Sequence, residues 1–168
     1  YNMQQCPYYT NMSVYSHGFF PQFPVQYYQP CVNRPIVLKD YGPEPFVVDI
    51  EEAAEQNRNF RTALWTGSHM QITLMSLNVG EDIGLEMHPN VDQFIRIEEG
   101  QGLVQMGDKK DNLNFQRRVY EGYAFVIPAG KWHNLTNTGN KPIKLYSIYA
   151  PPQHPHGTVH QTKKDAEH

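Results

Sequence analysis

A chain of 168 residues has the length of one domain, and its 39% hydrophobic and 12% aromatic content can fill one core. A formal net charge of -3 excludes the basic footprint of a nucleic-acid binder and gives no polybasic attraction to a membrane surface. No apolar run approaches the roughly 18 residues of a membrane span.

Residues 1–33 contain no Asp, Glu, Lys or Arg and are rich in Tyr, Gln, Asn and Pro. Their prolines block ladders and helices, and no hydrophobic period is sustained. Residues 1–45 therefore read as a low-complexity arm. The alternative is an arm that docks its aromatics on a neighbouring surface. In composition alone it resembles the Tyr/Gln/Pro-rich leaders of some bacterial spore-coat proteins. Cys6 and Cys31 lie in this arm, and one pair outside the core makes no disulfide framework.

A short helix is predicted in VVDIEEAAEQNRNF. Asp49 is its N-cap and Glu52, three residues on, completes a capping box. Glu51, Glu52 and Glu55 suit the helix dipole, and the helix should end between Asn57 and Asn59. From Phe60 the texture changes. FRTALWTG, MQITLMSLNVG, DQFIRIEEG, GLVQMGD, RRVYEG, YAFVIPAG, WHNLTNTG and PIKLYSIYAPP read as strands with their turns. Strands so short and so closely spaced predict an all-β sandwich or barrel over residues 46–150. Gly100, Gly102 and Gly107, with the other glycines here, read as turn residues with positive φ. Trp65, Trp132, Met75, Met87 and Met106 read as packing residues. After Ala150, prolines 151, 152 and 155 stop any strand. Residues 151–168 are expected to be a polar, exposed tail carrying His154, His156 and His160, with a metal-binding histidine tract as the alternative.

The chemistry concentrates in GEDIGLEMHPNVDQF, Gly80 to Phe94. Residues two apart on a strand share a face, so Glu86 and His88 point inward together. Pro89 and Asn90 reset the parity. With Gln93 inward, Ile95 and Ile97 follow, and Arg96 and Glu98 face solvent. A buried carboxylate is costly unless paired or bound to a metal. A metal ion would serve Glu86, His88 and Gln93 together, with His133 as fourth ligand, aimed inward by the Pro-Gly turn of PAGKWH. The alternative is a metal-free pocket in which Glu86 and Gln93 hydrogen-bond each other and His133. No inward Lys or Arg is identified in the strand runs, and the lining Ile95 and Ile97 favour an apolar or aromatic small molecule.

Residues Gly80 to Gly100 resemble the first motif of the cupin family: Gly, five residues, His-x-His, three or four residues, Glu, six residues, Gly. Gly80, His88 and Gly100 are in register, Glu86 stands at the first histidine position and Gln93 at the glutamate position. Gly122 to Asn137 matches the second motif throughout, with Gly122, Pro128, Gly130, His133 and Asn137 at the required spacing. The resemblance runs from about Phe60 to Ala150. It implies a double-stranded β-helix, the cupin jelly-roll barrel. It also implies a divalent transition metal (Mn, Fe, Zn or Ni) held here by Glu86, His88, Gln93 and His133. A Gln carbonyl is harder and weaker than imidazole, so the site should hold late, soft metals less tightly than the usual ligand set.

The outline resembles the small single-domain cupins labelled mannose-6-phosphate isomerase-like. It implies oxygenase- or isomerase-type chemistry on a small organic molecule, or else a non-catalytic binding or structural cupin, as in a spore-coat-like assembly. It implies a homodimer too, with the segment Arg34 to Val48 as an edge or exchanged strand whose prolines suit an edge. No nucleic-acid or membrane partner is expected. No signal peptide is visible, and the setting expected is cytoplasmic, with a spore-associated one as the alternative.

Overall fold

The computed structural model describes residues 35–167. The arm and its two cysteines lie outside the described residues. Helix α1 spans Ile50–Gln56, and the Asp49 side chain accepts from the Glu52 amide at 3.1 Å. Such a cap stabilises a helix by about 1 kcal/mol. The nine strands that follow are β1 (Arg61–Thr66), β2 (Gln71–Leu77), β3 (Asp92–Glu99), β4 (Gln101–Gly107), β5 (Phe115–Tyr120), β6 (Ala124–Ile127), β7 (Trp132–Asn137), β8 (Ile143–Ala150) and β9 (Val159–His160). All eight strand runs read from the sequence are present. Among the described residues, no helix is long and apolar enough to cross a membrane.

The strands make two antiparallel sheets, one in the order β6-β3-β8-β2-β1-β9 and one in the order β5-β4-β7. Alternation along each strand gives each sheet an inner face. Met75, Leu77, Ile95, Ile97, Ile143 and Leu145 from the larger sheet meet Val104, Met106 and Leu135 from the smaller one. The outer face of the larger sheet has its own cluster, where Leu64 and Leu74 pack against Ala53 and Ala54 of α1. The end of α1 is held by a buried cation. The Lys144 ammonium donates to the Asn57 carbonyl and, at 3.1 Å, to Ser76 Oγ. A lysine at a helix C-terminus satisfies carbonyls left without intrahelical partners.

Four expectations are corrected. Glu98 does not face solvent; it is 4% exposed. It lies on the side of β3 that it shares with Arg96, and α1 packs against that side. Arg96 Nε stands 3.4 Å from the Glu98 carboxylate. Burial pushes that carboxyl above its ordinary value, with Arg96 opposing.

The segment 35–48 forms no strand. Ile36, Leu38, Tyr41, Phe46 and Val48 pack on the outer cluster instead, and Tyr41 donates one backbone bond to the Leu64 carbonyl. The outer edge of β1 is occupied by β9, which pairs Arg61 with His160 and Thr62 with Val159. That pairing is the third correction. The prolines end β8 as expected, but residues 151–167 return to the sheet and finish in a short 3-10 helix, Lys163–Ala166. Gln71, fully buried, grips the backbone of His154 twice, donating to its carbonyl and accepting from its amide, both at 2.9 Å.

Lastly, Gly102 and Gly107 are not positive-φ turn residues like Gly100. They mark close approach on β4. A Cβ at Gly102 would lie 2.6 Å from the Thr136 carbonyl oxygen, and one at Gly107 would lie 1.9 Å from that of Asn112.

Candidate metal centre

Glu86 and His133, far apart in sequence, are direct cross-strand neighbours. The Glu86 amide donates to the His133 carbonyl at 3.1 Å, and the His133 amide donates back at 2.9 Å. His88 lies two residues beyond Glu86, on the same face. Its carbonyl accepts from the Gly130 amide at 2.8 Å, which ties the Pro-Gly turn to the first motif. Gly130 has a φ of 82°, the left-handed conformation that turn requires. Gln93 pairs with Tyr149 across β3 and β8, and the Tyr149 ring stands edge-on to His88 with centroids 5.9 Å apart.

Glu86, His88 and His133 converge. Glu86 Oε1 stands 3.4 Å from His88 Nε2 and 3.5 Å from His133 Nε2. The three ligand atoms lie within 4.8 Å of one another, an arrangement that could hold a metal ion. His133 is 1% exposed, His88 7% and Gln93 1%. His133 Nδ1 faces the Lys131 carbonyl at 2.9 Å. A carbonyl only accepts, so Nδ1 carries the proton and Nε2 offers its lone pair to the centre. Gln93 Nε2 donates to Ser147 Oγ at 2.9 Å, leaving its carbonyl oxygen free. Glu86 Oε1, His88 Nε2, Gln93 Oε1 and His133 Nε2 are all buried without a hydrogen-bond partner. Buried polar atoms are seldom left so. The hydrogen bond from the Gln93 amide to Glu86 that a metal-free pocket would use is not formed, since that amide donates to Ser147. The donor set, one carboxylate with imidazoles and an amide oxygen, suits a divalent transition metal.

In the metal-free protein burial alone would push the Glu86 carboxyl up, but the His133 and His88 imidazoles, with a proton on Nε2, outweigh it and hold it down at about 2, against an ordinary 4.5. A folded-state value below the unfolded one gives stability that is present above pH 4.5 and lost as pH falls toward 2. In metal-free protein, wild type should therefore lose up to about 3 kcal/mol relative to Glu86→Gln across that window. Urea unfolding of both proteins at pH 6, 4 and 2.5 checks this. A stability gap independent of pH would show that the imidazoles do not hold the carboxylate.

Three residues with buried polar atoms near the centre carry no signal in the sequence. Arg61 is an inward, 4% exposed cation, which corrects the expectation that no Arg or Lys faces the interior. It shares a face of β1 with Ala63 and pairs with Met75 of the inner core. The burial of four consecutive residues at the start of β1 erases the alternation that would have marked it. Tyr149 is fully buried on β8. His154, from the supposed tail, lies edge-on to Tyr149 at 5.1 Å and has its Nε2 buried. His156 is exposed beside Asp40, at 3.5 Å. Among the described residues, the three-residue cluster that could hold a metal includes no tail histidine.

With this fold and site in view, the comparisons agree. Residues 73–149 match the Cupin domain family, and the chain belongs to the cupins. Across 173 aligned residues it is 58% identical to the uncharacterized protein YrkC of Bacillus subtilis (strain 168), covering 96% of this chain and 93% of YrkC. It is 42% identical over 115 residues to the uncharacterized protein L612 of Acanthamoeba polyphaga mimivirus, covering 68% of this chain and 70% of L612. The crystal structure of BH2720 from Bacillus halodurans is similar at a TM-score of 0.76 and 67% identity, covering 77% of this chain and 98% of that one.

Proposed function

We propose that this cupin binds one divalent transition metal through Glu86, His88, Gln93 and His133 and acts there on a small organic molecule, with oxygenase- or isomerase-type chemistry. The observation that carries the reading is the convergence of unpartnered atoms. Three ligand atoms lie within 4.8 Å, and the Gln93 oxygen is a fourth buried acceptor without a donor. A bound divalent metal supplies Lewis-acid polarisation of a substrate oxygen. The chain's own residues do the rest. Glu86 brings the one negative charge of the set. Lys131 fixes the His133 tautomer through its carbonyl. Ser147 holds the Gln93 amide in one orientation. Ile95 and Ile97, fully buried, keep bulk water from the inner wall.

An enzyme needs an exchangeable coordination position, whereas a structural metal site is closed. Water-proton relaxation of the Mn(II)-loaded protein distinguishes the two. Enhancement above that of a fully coordinated reference supports catalysis. Its absence would favour the second reading, a non-catalytic cupin in a coat-like assembly, to which the charge-free composition of residues 1–33 points. Pairing of two chains belongs to the proposal as well, supported by the exposed Phe115 and Tyr120 on edge strand β5. Sedimentation equilibrium returning the mass of a single chain would remove it.

A further inference from the structure

We propose that Arg61, Tyr149 and His154 form an anion-binding subsite beside the metal centre, which receives a carboxylate of the small molecule held there. This rests on the metal reading. Arg61 is a cation buried without a counterion. Its Nη1 stands 3.4 Å from His160 Nδ1 and its Nη2 4.0 Å from Met75 Sδ, while Nε has no partner. Among the described residues no carboxylate forms a salt bridge with it. A buried guanidinium left so is costly, and an anionic ligand would offset the cost. Tyr149 is fully buried, and its hydroxyl has no hydrogen-bond partner. His154 Nε2 is buried and unpartnered too.

The groups adjoin the metal centre. The Tyr149 ring meets His88 on one side, at 5.9 Å, and His154 on the other, at 5.1 Å. Arg61 joins the same wall through His160, which its Nη1 meets at 3.4 Å and whose ring stands edge-on to His154 with centroids 6.5 Å apart. Burial, with Arg61, drives His154 down to about 3, so its imidazole adds no second positive charge at neutral pH. The free N–H of Arg61 and the O–H of Tyr149 both lack an acceptor, and a planar carboxylate offers two oxygens to such donors. A ligand that also reaches the metal needs a further oxygen function, as in a hydroxy acid or a short dicarboxylic acid. The Gln71 grip on the His154 backbone holds this wall in place.

The test uses the tag-free, Co(II)-loaded protein titrated calorimetrically with malonate, acetate and inorganic phosphate, alongside Arg61→Met and Tyr149→Phe. Malonate should bind wild type. Arg61→Met should weaken it by about ten- to a hundred-fold, as for loss of a buried charge-assisted hydrogen bond, and Tyr149→Phe by about three- to ten-fold. Both variants should keep the wild-type Co(II) content. A Co(II)-loaded wild type that binds no carboxylate, or an Arg61→Met protein with unchanged malonate affinity, overturns the subsite alone. Phosphate binding more tightly than malonate in an Arg61-dependent way overturns the carboxylate assignment. Wild type that takes up no Co(II) overturns the metal reading beneath it. Should Arg61→Met not fold, Tyr149→Phe decides, because it removes one hydroxyl and keeps the ring, and unchanged affinity there rejects the subsite.

Discussion

The His133→Ala variant, purified without a histidine tag, is expected to lose its metal and, with it, the stability that the metal confers. His133 is 1% exposed and its Nε2 has no partner within the protein. Its backbone exchanges two hydrogen bonds with Glu86, and its other ring nitrogen is fixed on the Lys131 carbonyl. The imidazole is therefore aimed before any metal arrives, and truncation removes a ligand that no neighbour can replace. A metal that binds only the folded state, at a thousand times its dissociation constant, stabilises by about 4 kcal/mol. Wild type should show a clear fall in Tm when a chelator is added. The variant should show almost none, and elemental analysis should find its metal content reduced by about ten-fold or more. Comparing the two chelated proteins isolates the separate cost of the cavity left by the ring. An unchanged metal content would remove His133 from the site.

The Asn137→Ala variant should be destabilised by about 3 kcal/mol, yet keep its metal. Asn137 ends the second motif but does not touch the centre. It is 2% exposed, and its side chain bonds three backbone groups on two segments. Nδ2 donates to the Leu77 carbonyl at 3.0 Å and to the Lys141 carbonyl at 2.9 Å, while Oδ1 accepts from the Gly139 amide at 2.9 Å. It thus ties the end of β7 to the end of β2 and to the turn entering β8. Alanine would orphan two carbonyls and one amide, and buried polar groups left unpaired are the expensive outcome. The expected fall in Tm is about 10 °C for a domain of this size, with metal per folded chain unchanged. A Tm close to that of wild type would show that water replaces these bonds, and a lost metal would show that the motif's last residue acts on the centre.

The two variants also show what the sequence could reveal. His133 and Asn137 stand in one motif at fixed spacing, so both were marked, but spacing does not say which binds metal and which holds turns together. Gln93 was legible because parity along β3 sets it with Ile95 and Ile97, whereas Glu86 and His88 lie outside any strand and are tied to His133 by a single bridge, so their motif spacing was the better signal. Parity did not reveal the burial of Glu98, which lies on the side of β3 that it shares with Arg96 and that α1 packs against, nor that of Arg61, where β1 is buried on both faces. No local signal shows that residues 151–167 cross back to pair with β1. The grip of Gln71 on His154 joins residues remote in sequence, so the prolines predicted the end of β8 correctly and the path beyond it wrongly. The segment 35–48 packs on the outer cluster instead of forming a strand, and the outer edge of β1 is taken by β9. Local pattern fixed the elements, and long-range pairing decided which polar groups share the interior.

The most direct test is an anomalous difference map from crystals of the tag-free protein loaded with Mn(II). The account predicts one peak inside the barrel, within about 2.0 to 2.3 Å of Glu86 Oε1, His88 Nε2, Gln93 Oε1 and His133 Nε2. A barrel without a peak, or a metal on the histidines with the Gln93 oxygen turned away, would contradict it.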